Sequence, residues 1–161
     1  MNHLVGEMFN ADAGVKLVHV PYRGAAPAMQ DLIGGQINLV FTSLPSVSGA
    51  IKKGTLHPIA ATSSKRAASF SNIPTIAEDG YEDFDINPWF GLFAPAKVPA
   101  QIIQKINASV NEVLKSKDVT DKFTAQGAEP HLTKPQEFAA VLKADIAKWS
   151  QVVKSSGASV D

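Results

Sequence analysis

The sequence contains no cysteine. Disulfide frameworks, thiol nucleophiles and cysteine-based zinc sites are excluded at once, and any redox compartment is compatible. Neither sign of charge is in excess: Lys plus Arg and Asp plus Glu each number 15, for a formal net charge of +0. No net field draws such a chain to nucleic acid or to an anionic membrane, so no nucleic-acid partner is expected. Nowhere do about 18 apolar residues follow one another, as a membrane-spanning helix would need. The opening MNHLVGEMFNADAG lacks the basic leader, apolar core and small-residue cleavage site of a signal peptide, so expression as given would leave the chain cytoplasmic.

Catalytic motifs are missing too. There is no G-x-S-x-G, H-E-x-x-H, P-loop or post-strand G-x-G-x-x-G, and no nucleophile with a partnering base, so no enzyme is expected. His3, His19, His57 and His131 are scattered without metal-ligand spacing, and His19, inside VHV, reads as a strand histidine on a polar face. The acidic run Glu78, Asp79, Glu82, Asp83 and Asp85 lacks the alternating oxygen ligands and terminal Glu of a calcium loop, and reads as solvated. Neither a metal nor a cofactor is expected.

What the chain does have is a folded composition, 45% hydrophobic and 19% charged over 161 residues. Apolar spacing predicts a helix from His3 to about Asn10 stopped at Gly14, then a strand at 17–21. A helix from about Ala26 carries Ala28, Met29, Leu32 and Ile33 on one face and ends at Gly34 and Gly35. A strand at 37–41, a short helix after Pro45 and a strand at 57–61 follow. Alternation of this kind implies parallel strands, with the strand ends at Pro21 to Ala26 and Thr42 to Ser46 on one rim.

Residues 63–88 are polar and turn-rich, and read as a surface excursion with one possible helical turn at Thr75 to Asp79. A compact strand, WFGLFA at 89–94, leads to a helix with Ile102, Ile103, Ile106, Val110, Val113 and Leu114 at helical spacing. A short helix opens at Asp118 and closes at Gly127. Thr133 and Gln136 have capping-box spacing, with Pro135 in the first turn, ahead of a long helix ending at Gly157. Trp149 belongs to the apolar stripe of that helix, whereas Trp89 suits either core packing or a crossing between lobes.

The stretch VPYRGAAPAMQDLIGG, residues 20–35, starts a helix on Gly24, Ala25, Ala26 and Pro27 with no bulky side chain over the first turn. Uncovered N–H groups and the helix dipole favour an anion there. Arg23 suits either a ligand contact or a solvated cap.

The succession VHVPYRGAAPAMQDLIGGQINLVFTSLPS, IAATSSKR, IPTIAEDGY, WFGLFAPAKVP, QGAEP and IAKWSQVVKSSG resembles the Bug, or TctC-like, extracytoplasmic solute receptors of tripartite tricarboxylate transporters. The resemblance covers nearly all of the chain. It implies an α/β fold of the type II periplasmic binding-protein kind, with two lobes closing on a small carboxylate, and delivery of that carboxylate to membrane permease subunits from the periplasm. It also implies that the turn at Tyr22, Arg23, Gly24, Ala25 and Ala26 faces the anion. With Thr42, Ser43 and His3 these are the candidate ligand-binding residues. Relatives of this kind commonly carry Asp-Asn where Thr42-Ser43 stand here, and neutral hydroxyls suit a plain carboxylic acid.

Against the family pattern the chain looks N-terminally truncated. The expectation is a second-lobe α/β domain at 1–86 and the carboxyl-terminal part of the first lobe at 87–161, with residues 89–94 as the return crossing. The alternative is a non-transporting fragment that only folds or self-associates, through helix faces between 99 and 156 that the missing lobe would cover.

Overall fold

The computed structural model describes residues 1–156. Six α-helices organise it: α1 (Asn2–Ala13), α2 (Ala25–Ile33), α3 (Leu44–Lys52), α4 (Ala100–Lys115), α5 (Lys117–Ala125) and α6 (Pro135–Ser156), with short 3-10 turns at Ala68–Phe70 and Ala77–Asp79. The helices fall where apolar spacing and glycine stops put them. Gly14 ends α1 in the left-handed conformation, φ 64°, and gives its N–H to the Asn10 carbonyl. The expected stop of α6 at Gly157 lies outside the described residues.

The expected strands are corrected. Among the described residues no ladder forms at 17–21, 37–41, 57–61 or 89–94; the β pairing is a single parallel bridge, Ala61 to Thr75. Among the described residues no backbone-to-backbone hydrogen bond engages 18–21, 38–42, 57–60 or 87–94. Apolar alternation tells which side chains want cover, whereas a ladder also needs a neighbour about 4.8 Å away with its donors in register. Val18 at 87%, Phe90 at 83% and Leu92 at 69% remain exposed, so these side chains lack that cover as well.

The reading of 63–88 as a surface excursion is corrected too. Phe70, Ile73, Thr75, Ile76, Phe84 and Ile86 in this stretch are all buried, Phe84 at 1% and Thr75 at 0% exposure. Val5, Ile76, Phe84 and Ile86 form a core against which Met8, Phe9, Phe41, Tyr81 and Trp149 pack. Phe9 meets Phe84 edge-on at 6.4 Å between centroids. A capping box organises the stretch: Glu78 accepts the Thr75 N–H at 2.8 Å, and its own N–H goes to Thr75 Oγ1 at 3.1 Å. Arg66 then clamps the Glu78 carboxylate with Nε at 2.8 and 3.0 Å. Mainly the Thr75 backbone N–H, and after it the Arg66 side chain, hold the Glu78 carboxyl below the usual range.

Two groups of contacts attach the carboxyl-terminal helices. Trp149 of α6 packs on the core just described, and Lys148 Nζ donates to the Asp85 carbonyl at 2.9 Å. Trp89 meets Phe138 edge-on at 5.0 Å, Phe93 lies 5.4 Å from the same ring, and Trp89 Nε1 donates to Asp145 Oδ2 at 2.5 Å. The cap of α6 sits one residue later than its sequence suggests. Glu137, not Gln136, reaches back, accepting the Lys134 N–H at 2.7 Å, because the helix begins at Pro135 and places Glu137 third. Exposed i,i+4 pairs, Lys117–Asp121 and Lys122–Asp118, are worth about 0.3–0.5 kcal/mol each. Burial of one side chain such as Phe84 is worth about 1.5–3 kcal/mol, so the apolar core dominates stability.

Candidate functional site

The turn before α2 is built around Gly24. With φ 114° and ψ 177° it occupies a region that residues with a Cβ avoid, and no atom lies within 4 Å of where a Cβ would stand. No side chain caps the helix, and Pro27 has no N–H. The N–H groups of Gly24, Ala25 and Ala26 precede the first intrahelical bond and have no backbone acceptor. Three donors with the positive end of a helix dipole behind them form a surface that a carboxylate oxygen fits.

Flanking residues divide into braces and free groups. The Tyr22 hydroxyl donates to Asp31 Oδ2 at 2.7 Å, tying the approach segment to the second turn of α2. That hydrogen bond, then burial and the Asp31 charge, raise the Tyr22 phenol above the ordinary tyrosine range, so it stays a neutral donor. Arg23 is exposed and has no ion pair or hydrogen bond among the described residues. Ala25 is half-buried and Ala26 exposed, while Ala28, one turn on, is buried and seats the helix.

Thr42 and Ser43 occupy the start of α3, another helix N-terminus with proline in its first turn. Both are half-buried, and Ser43 Oγ lies 2.8 Å from Ser46 Oγ. They line a cleft of about 1720 Å³ whose walls include Thr62, Trp89, Ile103, Val110 and Phe138. This cleft runs between the early part of the chain and the carboxyl-terminal helices. Tyr22, Arg23, Gly24, Ala25, Ala26 and His3 do not line it. Of the candidate residues, Thr42 and Ser43 are thus on the cleft, and Tyr22 to Ala26 and His3 are not. His3 Nε2 lies 3.4 Å from Glu7 Oε1, and its ring stacks on that of His19.

Sequence reasoning passed over three features near these turns. The Tyr22–Asp31 brace spans nine positions, and no helical periodicity signals it. The histidine stack joins residues sixteen apart, so only folding brings it about. The 62–64 loop on the cleft is held by Asp85, whose Oδ1 accepts the Ser64 N–H at 2.8 Å, and by Thr62 Oγ1 donating to the Ile86 carbonyl at 2.9 Å. Among the described residues no group of three His, Cys, Asp or Glu is placed to hold a metal ion, and no helix is long and apolar enough to cross a membrane.

Comparison with known proteins identifies the group. Residues 1–158 match the tripartite tricarboxylate transporter family receptor, TctC. BugT of Bordetella pertussis is 37% identical over 156 residues, which are 97% of this chain and 48% of BugT. A UPF0065 protein from the clcB-clcD intergenic region of Pseudomonas knackmussii is 32% identical over 152 residues, 94% of this chain and 90% of that one. Among solved structures, an R. palustris protein with adipate superposes with a TM-score of 0.91 at 36% identity, covering 97% of this chain and 52% of that one. MatC of Rhodopseudomonas palustris with bound malate gives 0.83 at 28% identity, covering 95% and 53%. BugD, a periplasmic binding protein, gives 0.87 at 31% identity, again with 53% of its length covered.

The chain spans about half the length of BugT and of these structural relatives. Its fold is that of the periplasmic binding proteins over that half, as the sequence resemblance implies, and the relatives are solute receptors. From its family match along nearly the whole length and its close superposition on these receptors, the chain belongs to the TctC, or Bug, family of tripartite tricarboxylate transporter receptors.

Proposed function

We propose that this chain supplies one carboxylate-gripping wall of a periplasmic solute receptor, without catalysis, and that the intact receptor passes a small carboxylate to the permease subunits of a tripartite transporter. The observation that carries the reading is the open turn at Gly24, where no side chain caps the helix start and a Cβ on Gly24 would meet no atom within 4 Å. The main-chain donors of the turn are preorganised and need little rearrangement to meet an anion. Arg23 adds a cation, unpaired among the described residues, beside them, and Tyr22 acts as a brace. The adipate and malate in two family structures fit a dicarboxylate here. Thr42 and Ser43 line the cleft, which the Gly24 turn does not, and offer neutral hydroxyls to a polar group there.

In this reading residues 1–86 are the second lobe and residues 87–161 the carboxyl-terminal part of the first. The unpaired backbone at 87–94 and the apolar cleft walls support it, since both suit cover by a further layer of chain. Calorimetry with adipate, malate and citrate tests the grip. Weak, saturable binding is expected, lost with a neutral diamide analogue and in Gly24→Val. No heat with any carboxylate, submicromolar affinity, or equal binding by Gly24→Val would contradict it.

A second reading, that the chain acts through self-association, is favoured by the exposure of Phe90 and Leu92. Size-exclusion chromatography separates the two. A concentration-independent monomer argues against self-association, and a dimer dispersed by Phe90→Ser argues for it.

A further inference from the structure

The rings of His3 and His19 lie face to face, with centroids 3.7 Å apart and 3° between their planes. His3 is in the first turn of α1, where its Nε2 is 3.4 Å from Glu7 Oε1. His19 is exposed and belongs to the unpaired stretch 15–22 that leads into the Gly24 turn. That stretch is tied at its start by the Val15 and Leu17 N–H groups, both to Asn10, and at its end by Tyr22 to Asp31. Between these ties Val18 and Val20 face solvent and no backbone hydrogen bond forms. Among the described residues the stacked ring of His19 is therefore the side-chain attachment of its middle.

Neutral imidazoles stack readily, and a first proton is tolerated, because Glu7 and the face of the other ring both favour a cation. A second proton places two like charges at stacking distance with one carboxylate to offset them. Histidine is the side chain whose charge changes near neutral pH, so acidification is the perturbation that reaches this pair. Glu7 is on α1 itself, and on α6, the helix packed against α1, Asp145 and Lys148 are committed to Trp89 and to the Asp85 carbonyl. No other ion pair reaches either ring among the described residues.

We propose that the His3–His19 stack is an acid-released latch, which holds residues 15–22 against α1 at neutral pH and lets them go when both rings are protonated. Release frees the entry angle of the Gly24 turn. The latch stands or falls without any ligand, so failure of the carboxylate reading would leave it intact.

Nuclear magnetic resonance of the 161-residue chain, titrated from pH 8 to pH 5, tests it. As the pH falls the Gly24 amide should shift, and protection of the Leu17 N–H against exchange, corrected for intrinsic rate, should fall by about tenfold or more. His19→Phe keeps a flat ring but cannot take a proton, and should hold the stretch at both pH values. His19→Ala should leave it loose at both, and since His19 is exposed neither change should unfold the chain. No change at Leu17 or Gly24 down to pH 5, an unaltered pH response in His19→Phe, or full protection at neutral pH in His19→Ala would each overturn the proposal.

Discussion

Replacing Gly24 with alanine isolates the backbone conformation at the turn from everything else, because a Cβ there meets no atom within 4 Å. The whole cost is conformational. Holding alanine at φ 114°, ψ 177° costs about 1–3 kcal/mol. Alanine is also a poorer N-cap than glycine, by roughly a few tenths to 1 kcal/mol. A loss of about 2 kcal/mol lowers the folded-to-unfolded ratio roughly thirtyfold. At a urea dependence of about 2 kcal/mol/M it moves the midpoint down by about 1 M. Gly49 is the matched control. It lies inside α3 without positive φ, and an added Cβ there also meets nothing within 4 Å. Alanine at this position should stabilise by about 0.5–1 kcal/mol, raising the midpoint by a few tenths molar. The same chemical change thus has opposite signs at two open sites. Urea unfolding followed by helical circular dichroism measures both. A Gly24→Ala chain as stable as the parent, or Gly24→Ala and Gly49→Ala shifting in the same direction, would refute the conformational argument. Should alanine at 24 relax to negative φ, part of the stability returns but the three donors turn away, and carboxylate heats should drop with it.

Gly91→Ala is expected to destabilise for the contrary reason, since its Cβ would overlap the Phe138 ring. Overpacking of about 1–3 kcal/mol, read as a lower thermal midpoint, should be partly recovered by Phe138→Val in the same chain, and an unchanged midpoint would show that the ring swings clear. Glu78→Gln is expected to change the pH dependence of stability. The Glu78 carboxyl is held low chiefly by the Thr75 N–H and then by Arg66, so its folded pKa lies below the unfolded one. Its contribution is therefore present above the ordinary carboxylate range and is lost as pH falls through the folded value. The stability gap between parent and variant should be full at pH 7 and shrink with acidification, and a gap that does not change with pH would contradict the assignment.

Much of the local structure could be read from residue order. Gly14 as the end of α1, the open start of α2, the proline-led α3 and the stripe of α4 each depend on neighbours within a turn or two, and capping and periodicity report on that range. The family was legible for the same reason, because its motifs are contiguous blocks. The burial of 63–88 was not legible. Polar and turn-forming residues there hide isolated apolar anchors, Ile76, Phe84 and Ile86, which pack with Val5, Met8 and Phe9 of α1 and Trp149 of α6. Thr75 and Glu78 had capping-box spacing all along, yet only Arg66 and the surrounding core reveal why it matters.

For the candidate site the division is similar. The sequence by itself determined that small residues open the turn at 24–26 and that its donors are main-chain, since this follows from the missing side chains. Only the tertiary structure decided that Tyr22 braces Asp31, that Thr42 and Ser43 look onto a cleft that the Gly24 turn does not line, and that His3 stacks on His19. It also decided that the four strand-like segments carry no ladders among the described residues. The physical reason is one of range. Helices and caps satisfy their hydrogen bonds within a few residues of chain, whereas strand pairing, clefts and ring stacks need groups from distant positions to arrive together, and no local pattern encodes that arrival.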